Sequence, residues 1–181
     1  PCAAAGQYGP GVSDTEIRIG QTMPYSGPAT ALSALGKVQE RYFDALNRAG
    51  GIRGRKVKLV SLDDAYNPAQ SLAQTRKLVE QEKVLLLFAS MGTAQNAAVQ
   101  KYLNAQKVPQ LFVYAAADRF ADPKQYPWSM PGMPLFSTEA RVYADYVNKE
   151  KPAAKIAVLY QNDDLGKEYL EGFKEIGRAH V

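Results

Sequence analysis

The chain is poor in the residues that carry most enzyme chemistry. It holds one cysteine, Cys2, and one histidine, His180. A single cysteine closes no internal disulfide and leaves the redox compartment open. A single histidine removes most histidine-based catalysis, and any Ser-His-Asp arrangement would depend on His180 alone. No apolar run approaches the roughly 18–20 residues that a membrane-spanning helix needs. The phosphate-binding loop GxxxxGK[S/T], the dinucleotide fingerprint GxGxxG after a strand, and the HExxH, CxxC and GxSxG motifs are all missing. The excess of positive charge is small: the net +4 is spread thinly among alternating acidic and basic residues. Its densest stretch, Arg53–Lys58, alternates with apolar residues and lacks interleaved stacking aromatics, so nucleic acid is not an expected partner. No cofactor and no metal site are expected.

What is present is a regular rhythm. Short apolar strands alternate with amphipathic helices, the pattern of an α/β fold with a parallel sheet. The first strand is expected at Glu16–Met23, leaving through Pro24-Tyr25-Ser26-Gly27-Pro28. A helix over about Ala29–Asn47 carries Leu35, Val38, Tyr42, Phe43 and Leu46 as one apolar stripe, and Gly50-Gly51 stops it. Arg55–Leu62 alternates Val57 and Leu59 with lysines, as a strand near a sheet edge does. Asn67 and Pro68 form a cap and first residue for the next helix, with Leu72, Leu78 and Val79 toward the sheet. Val84–Phe88 is a continuous apolar run, expected as a central strand buried on both faces. A helix over about Ala94–Gln106 follows, then a strand at Leu111–Tyr114.

Residues 119–136 break this rhythm with four prolines and read as a crossover between two units. Ser137 is expected to cap a helix carrying Val142, Tyr143, Tyr146 and Val147. Ile156–Tyr160 is expected as a buried strand, and Gln161-Asn162-Asp163-Asp164 leads into a final helix with Leu165, Tyr169, Leu170 and Phe173. Residues 15–120 thus form one lobe, 121–136 the hinge, and 137–174 the start of a second lobe.

Both ends carry signs of processing. Ala3-Ala4-Ala5 fits the small-residue pattern before a signal-peptidase cut, which marks residues 1–14 as a signal remnant and tail; a lipid anchor at Cys2 is the alternative. The heptapeptide Glu175–Val181 back-translates, from its second base on, into a common sequencing-adapter sequence. Native sequence is therefore expected to stop at about Lys174.

Open parallel sheets bind ligands beyond the carboxyl ends of their strands. Ser90-Met91-Gly92-Thr93 lies there, between the central strand and a helix. Its N–H groups, backed by the positive helix end, form a site for a carboxylate, with the Ser90 and Thr93 hydroxyls adding hydrogen bonds. Acidic pairs also sit at strand ends, Asp63-Asp64 and Asp163-Asp164. Such pairs are commonly caps and turn formers, and carboxylate-based catalysis stays open beside that reading.

Several of these segments together resemble the branched-chain amino-acid type of periplasmic solute-binding protein. They are Glu16–Gly20 through Pro24–Pro28, Asn47–Arg55, Asp63–Pro68, and Asn162-Asp163-Asp164-Leu165-Gly166-Lys167. The similarity runs from about Tyr8 to Lys174. The resemblance implies two Rossmann-like lobes closing over a solute without chemistry, and a full member about twice this length. It places the ligand carboxylate on Ser90, Met91, Gly92 and Thr93. It places the ligand's ammonium or polar head on Ala115, Ala116, Ala117 and Asp118, and it sets Tyr25 and Ser26 in the cleft wall. Asp164 and Leu165 close over the ligand from the second lobe. Two positions depart from the family pattern: Asp118 stands where Ser or Thr is frequent, and Leu165 where an aromatic is frequent. The resemblance further implies a monomeric, periplasmic protein that serves the permease of an ABC importer, with an amino acid or small organic acid as ligand. A ligand-sensing domain of a receptor or regulator, and a carboxylate-dependent hydrolase on a flavodoxin-like sheet, are the alternative readings.

Overall fold

The computed structural model describes residues 7–177. The proposed signal cut at Ala3–Ala5, the anchor at Cys2, and Arg178, His180 and the chain's last residues lie outside them. Five parallel strands form one sheet in the order β2-β1-β3-β4-β5: β1 Glu16–Met23, β2 Lys56–Asp63, β3 Leu87–Phe88, β4 Gln110–Val113 and β5 Ser129–Pro131. The helices are α1 Ser33–Arg48, α2 Pro68–Glu80, α3 Thr93–Gln106, α4 Phe136–Glu150 and α5 Asp164–Gly177. The expected α/β class and parallel sheet are therefore present, with β2 at an edge and β3 in the centre.

Local chemistry sets the helix ends. Asn67 caps α2, its side-chain oxygen accepting from the N–H groups of Ala69 and Gln70, with Pro68 in the first helical position. After α1, Gly50 and Gly51 take left-handed φ values of 106° and 69°. Their N–H groups bond to the carbonyls of Asn47 and Leu46, which closes the helix by the glycine-terminated double turn. Asn47 then bonds both the N–H and the carbonyl of Val57, pinning α1 to β2.

One face of the sheet is closed by α2 and α3. Leu78, Val84, Leu87, Val99 and Leu103 are buried together there, with Val60, Leu62 and Leu72 beside them. A second cluster sits at the carboxyl end of the strands. It joins Val113, Ala115, Ala116, Ala117 and Phe120 to Phe136 of α4, with Leu165 and Tyr169 of α5 packed against it.

Several expectations are corrected. Val38 and Tyr42 of α1 are 67% and 65% exposed, because α1 turns Ser33, Gly36 and its half-buried Leu35, Phe43 and Leu46 inward instead. The ladder of β3 is confined to Leu87 and Phe88, and Leu85, Leu86 and Phe88 are half-buried. The α1 side of the sheet is covered only in part: Phe43, Phe88 and Phe112 meet edge-to-face in sequence at 5.5 and 5.9 Å, and Phe112 at the far end is 49% exposed. Phe112 itself takes a φ of 53° where the β4–β5 register shifts, so a bulge turns it outward. The proline-rich crossover contains an additional strand, β5, at the sheet edge, where the lack of a proline N–H costs least. Ser137 lies inside α4 rather than capping it; Leu135 holds the cap position, and the Ser137 hydroxyl donates to Asp118. Ile156–Tyr160 forms no strand. Residues 155–160 make no backbone hydrogen bond among the described residues, and Leu159 is fully exposed. The segment has strand-forming side chains but, among the described residues, no neighbouring strand to pair with.

Candidate ligand-binding rim

The exits of β1, β2 and β3 are joined crosswise by side chains. Ser26, after β1, donates its hydroxyl to Asp63 at the end of β2 (2.5 Å) and its N–H to the same carboxylate (3.1 Å). That hydroxyl is the main reason the Asp63 carboxyl is held below its ordinary value. Asp64 is fully buried. Its oxygens accept from the Ser71 hydroxyl (2.7 Å) and the Tyr66 N–H (3.0 Å). Burial nevertheless raises its pKa, because those bonds only partly replace lost water. Between β1 and β3, the Thr22 N–H donates to the Ser90 hydroxyl (3.1 Å) and the Met91 N–H donates to the Thr22 carbonyl (3.2 Å).

This wiring redistributes the expected roles. The N–H groups of Met91 and Gly92 are engaged inside the protein, by Thr22 and by the Tyr114 carbonyl (3.4 Å). Gly92, at φ 99°, is the cap residue of α3, and no side chain caps that helix. The N–H groups of Thr93, Ala94 and Gln95 have no intrahelical acceptor. Among the described residues they, rather than those of Met91 and Gly92, are the N–H groups left without a protein acceptor at this end of the helix. Asn96 holds the loop from behind, donating to the carbonyls of Ser90 (2.8 Å) and Gly92 (2.7 Å).

Tyr25 turns away from the rim. Its hydroxyl pairs with Ser61 (2.6 Å) and rests against Gly36, where any Cβ would collide with it. Ser26 is likewise committed to Asp63. The Ala115–Asp118 loop does meet α4 and α5, but tightly: Ala116 and Ala117 have no exposed surface, and their carbonyls accept from Phe136 and Phe120. Leu165 packs on this cluster. Asp164 pairs with Arg119 at 3.3 Å, and Arg119 is held in turn by Gln100 (2.9 Å). The carboxylate of Glu168, on α5, accepts from the Asp118 N–H at 3.0 Å. Burial is the main cause that pushes Glu168 up to about 7, and the charges of Asp118 and Asp164 add to it.

Two further residues belong to this end of the sheet and carried no distinct signal, Glu168 and Gln95; Arg119 stood next to Asp118 in sequence as its expected salt-bridge partner, but its ion pair is with Asp164. Tyr66 did lie within the quoted Asp63–Pro68 segment, but nothing marked its side chain. Ala65 and Tyr66 are consecutive left-handed residues, with φ 50° and 57°, an uncommon arrangement for residues with a Cβ. A cavity of about 390 Å³ lies nearby, lined by Pro68 of α2, by Ala94, Ala97 and Ala98 of α3, and by Arg119, Asp163 and Asp164. Among the described residues no group of three or more His, Cys, Asp or Glu is placed to hold a metal ion, and no helix is long and apolar enough to cross a membrane.

The architecture is that of an α/β protein with a parallel sheet, its loops gathered at the carboxyl end and α4 and α5 packed on them. Residues 16–180 match the family model described as periplasmic binding protein, and the chain belongs to that family. Its sequence is 27% identical over 174 residues to the Leu/Ile/Val-binding protein homolog 7 of Brucella abortus, covering 90% of this chain and 43% of that protein. A substrate-binding periplasmic protein from Ralstonia solanacearum superposes with a TM-score of 0.82 at 28% identity, covering 90% of this chain and 46% of that one. A branched-chain amino acid transporter substrate binding protein from Streptococcus pneumoniae, in complex with isoleucine, gives 0.76 at 27% identity, covering 89% and 46%. The fold is that of a type I periplasmic binding protein, and the chain spans less than half the length of the curated relatives it matches.

Proposed function

We propose that this chain is the ligand-gripping portion of a solute-binding protein that works outside the cytoplasm, as a monomer, and delivers an amino acid or small organic acid to the permease of an ABC importer. Residues 15–120 are the first lobe, 121–136 the hinge, and 137–174 the start of the second lobe. The observation that carries this reading is the uncapped N-terminus of α3. Its free N–H groups stand at the carboxyl end of the sheet, where α5 comes down on the neighbouring loop. A carboxylate held there gains fixed dipoles that need no reorganisation. The bound relative from Streptococcus, which carries isoleucine, supports the amino-acid class.

Binding proceeds by hinge closure: the first lobe holds the charged head and the second excludes water. No covalent step is involved. The hydrolase alternative is weakened because Asp64 is fully buried and both its oxygens are engaged. With only the start of a second lobe, the isolated chain is expected to bind weakly, and micromolar affinity by titration calorimetry would contradict this. In a full-length protein carrying this segment, a thermal-shift screen of amino acids and aromatic acids is expected to raise Tm for one chemical class. No stabilisation by any member of either class would refute the reading.

A further inference from the structure

Gln95 lies in the first turn of α3, and only 3% of its surface is exposed. Its two polar atoms are treated unequally. Nε2 donates to the Tyr66 carbonyl at 2.7 Å, which also fixes which end of the amide is oxygen. Oε1 is buried and has no hydrogen-bond partner among the described residues. It stands against the bare Cα of Gly92, where any side chain would collide with it, and the Tyr66 ring edge reaches within 3.0 Å of the same point. A buried acceptor without a donor is costly, and native proteins keep few of them. This one is one turn or less from the free N–H groups of Thr93 and Ala94.

The loop around it is built to hold this arrangement. Asp64 fixes the Tyr66 N–H from one side and Gln95 fixes the Tyr66 carbonyl from the other. Between them they impose two successive left-handed residues, Ala65 and Tyr66. Strain of this kind persists only where the surroundings over-determine it. On the opposite side of the rim, the acceptors first assigned to a ligand's ammonium group, the carbonyls of Ala116 and Ala117, already receive internal donors.

We propose that Gln95 is a specificity-determining residue of the rim: its Oε1 accepts a hydrogen bond from an N–H or O–H donor that the ligand carries next to its carboxylate. The Tyr66 ring gives way to that donor and then flanks the ligand. The favoured ligand class is an acid bearing an amino or hydroxyl group on the adjacent carbon, rather than a plain carboxylic acid. This inference rests on the cleft reading above and deepens it.

The test uses the 15N-labelled 181-residue chain, because NMR reads weak binding. Three probes share one carbon skeleton: L-leucine, L-2-hydroxy-4-methylpentanoate and 4-methylpentanoate. The first two are expected to bind about tenfold tighter than the third, the worth of one buried hydrogen bond. They alone should move the Gln95 side-chain amide resonances. In Gln95→Met the preference should fall below about twofold, while the backbone shifts of Thr93 and Ala94 persist. Equal binding of all three acids, with Thr93 and Ala94 shifting and the Gln95 side chain silent, would overturn this inference and leave the cleft reading standing. No shift at residues 93–95 with any of the three probes would also overturn this inference, while the cleft reading is decided by the thermal-shift screen above. If Gln95→Met fails to fold, the wild-type side-chain resonances decide alone.

Discussion

Glu168→Gln isolates a carboxyl group strained where α5 packs against the Ala115–Asp118 loop. Glu168 is displaced from 4.5 to about 7, with burial as the leading cause and the charges of Asp118 and Asp164 opposing Arg119. At full value that displacement corresponds to about 3 kcal/mol. Glu168 is only partly buried, so solvent screening reduces the expected figure to about 1–2 kcal/mol. The sign follows from linkage: the folded chain holds this proton more tightly than the unfolded one. The favourable contribution is complete below pH 4.5 and is lost as pH rises through about 7. Glutamine keeps an oxygen to accept from the Asp118 N–H and carries no charge at any pH. The variant should therefore match wild type near pH 4.5 and exceed it above pH 7. For a chain of this size the gain is about 3–6 °C in Tm. Thermal denaturation of both proteins by circular dichroism across that range measures the difference directly, and other titrating groups cancel in the comparison. A variant that is less stable at high pH, or whose advantage grows toward acid, would refute the argument.

Three other outcomes are expected. Asn67→Ala removes the side-chain acceptor for two N–H groups of α2 and should cost about 1 kcal/mol in urea denaturation; an unchanged midpoint would mean water replaces the cap. Gly92→Ala places a Cβ at φ 99° against Gln95 and Tyr66 and should destabilise by about 1–3 kcal/mol, with backbone NMR shifts reaching residues 65 and 66; shifts confined to residues 91–94 would contradict the packing. Leu159→Lys should leave Tm unchanged within about 1 °C, because Leu159 is fully exposed and exposed substitutions cost little; a clear loss would mean that the side chain is covered.

What could be read in advance was local. Asn67-Pro68 and Gly50-Gly51 announce a helix start and stop through their own backbone preferences, and the lysines alternating with Val57 and Leu59 mark an edge. The rim segments Ser90–Thr93 and Ala115–Asp118 were placed at the right end of the sheet because strand polarity fixes that end. Contacts between distant segments were not legible. Tyr25 turns from the rim because Gly36, eleven positions away, leaves room for its hydroxyl. Met91 loses its N–H to Thr22, and Ala116 its carbonyl to Phe136, through sheet geometry that no single segment contains. Gln95 looked like any polar helix residue; only the approach of the Tyr66 loop makes it an acceptor without a donor. Ile156–Tyr160 has the composition of a strand, but a strand is a relation between two segments, and composition describes only one.

The lattice formed by Ser26 with Asp63, Asp64 with Tyr66, and Ser90 with Thr22 has a kinetic corollary. Three loops that share one set of bonds cannot wander separately, so the surface met by an arriving solute is assembled during folding rather than at encounter. On the function proposed above, capture should then begin at a rate governed by diffusion, with loop rearrangement contributing little to the delay.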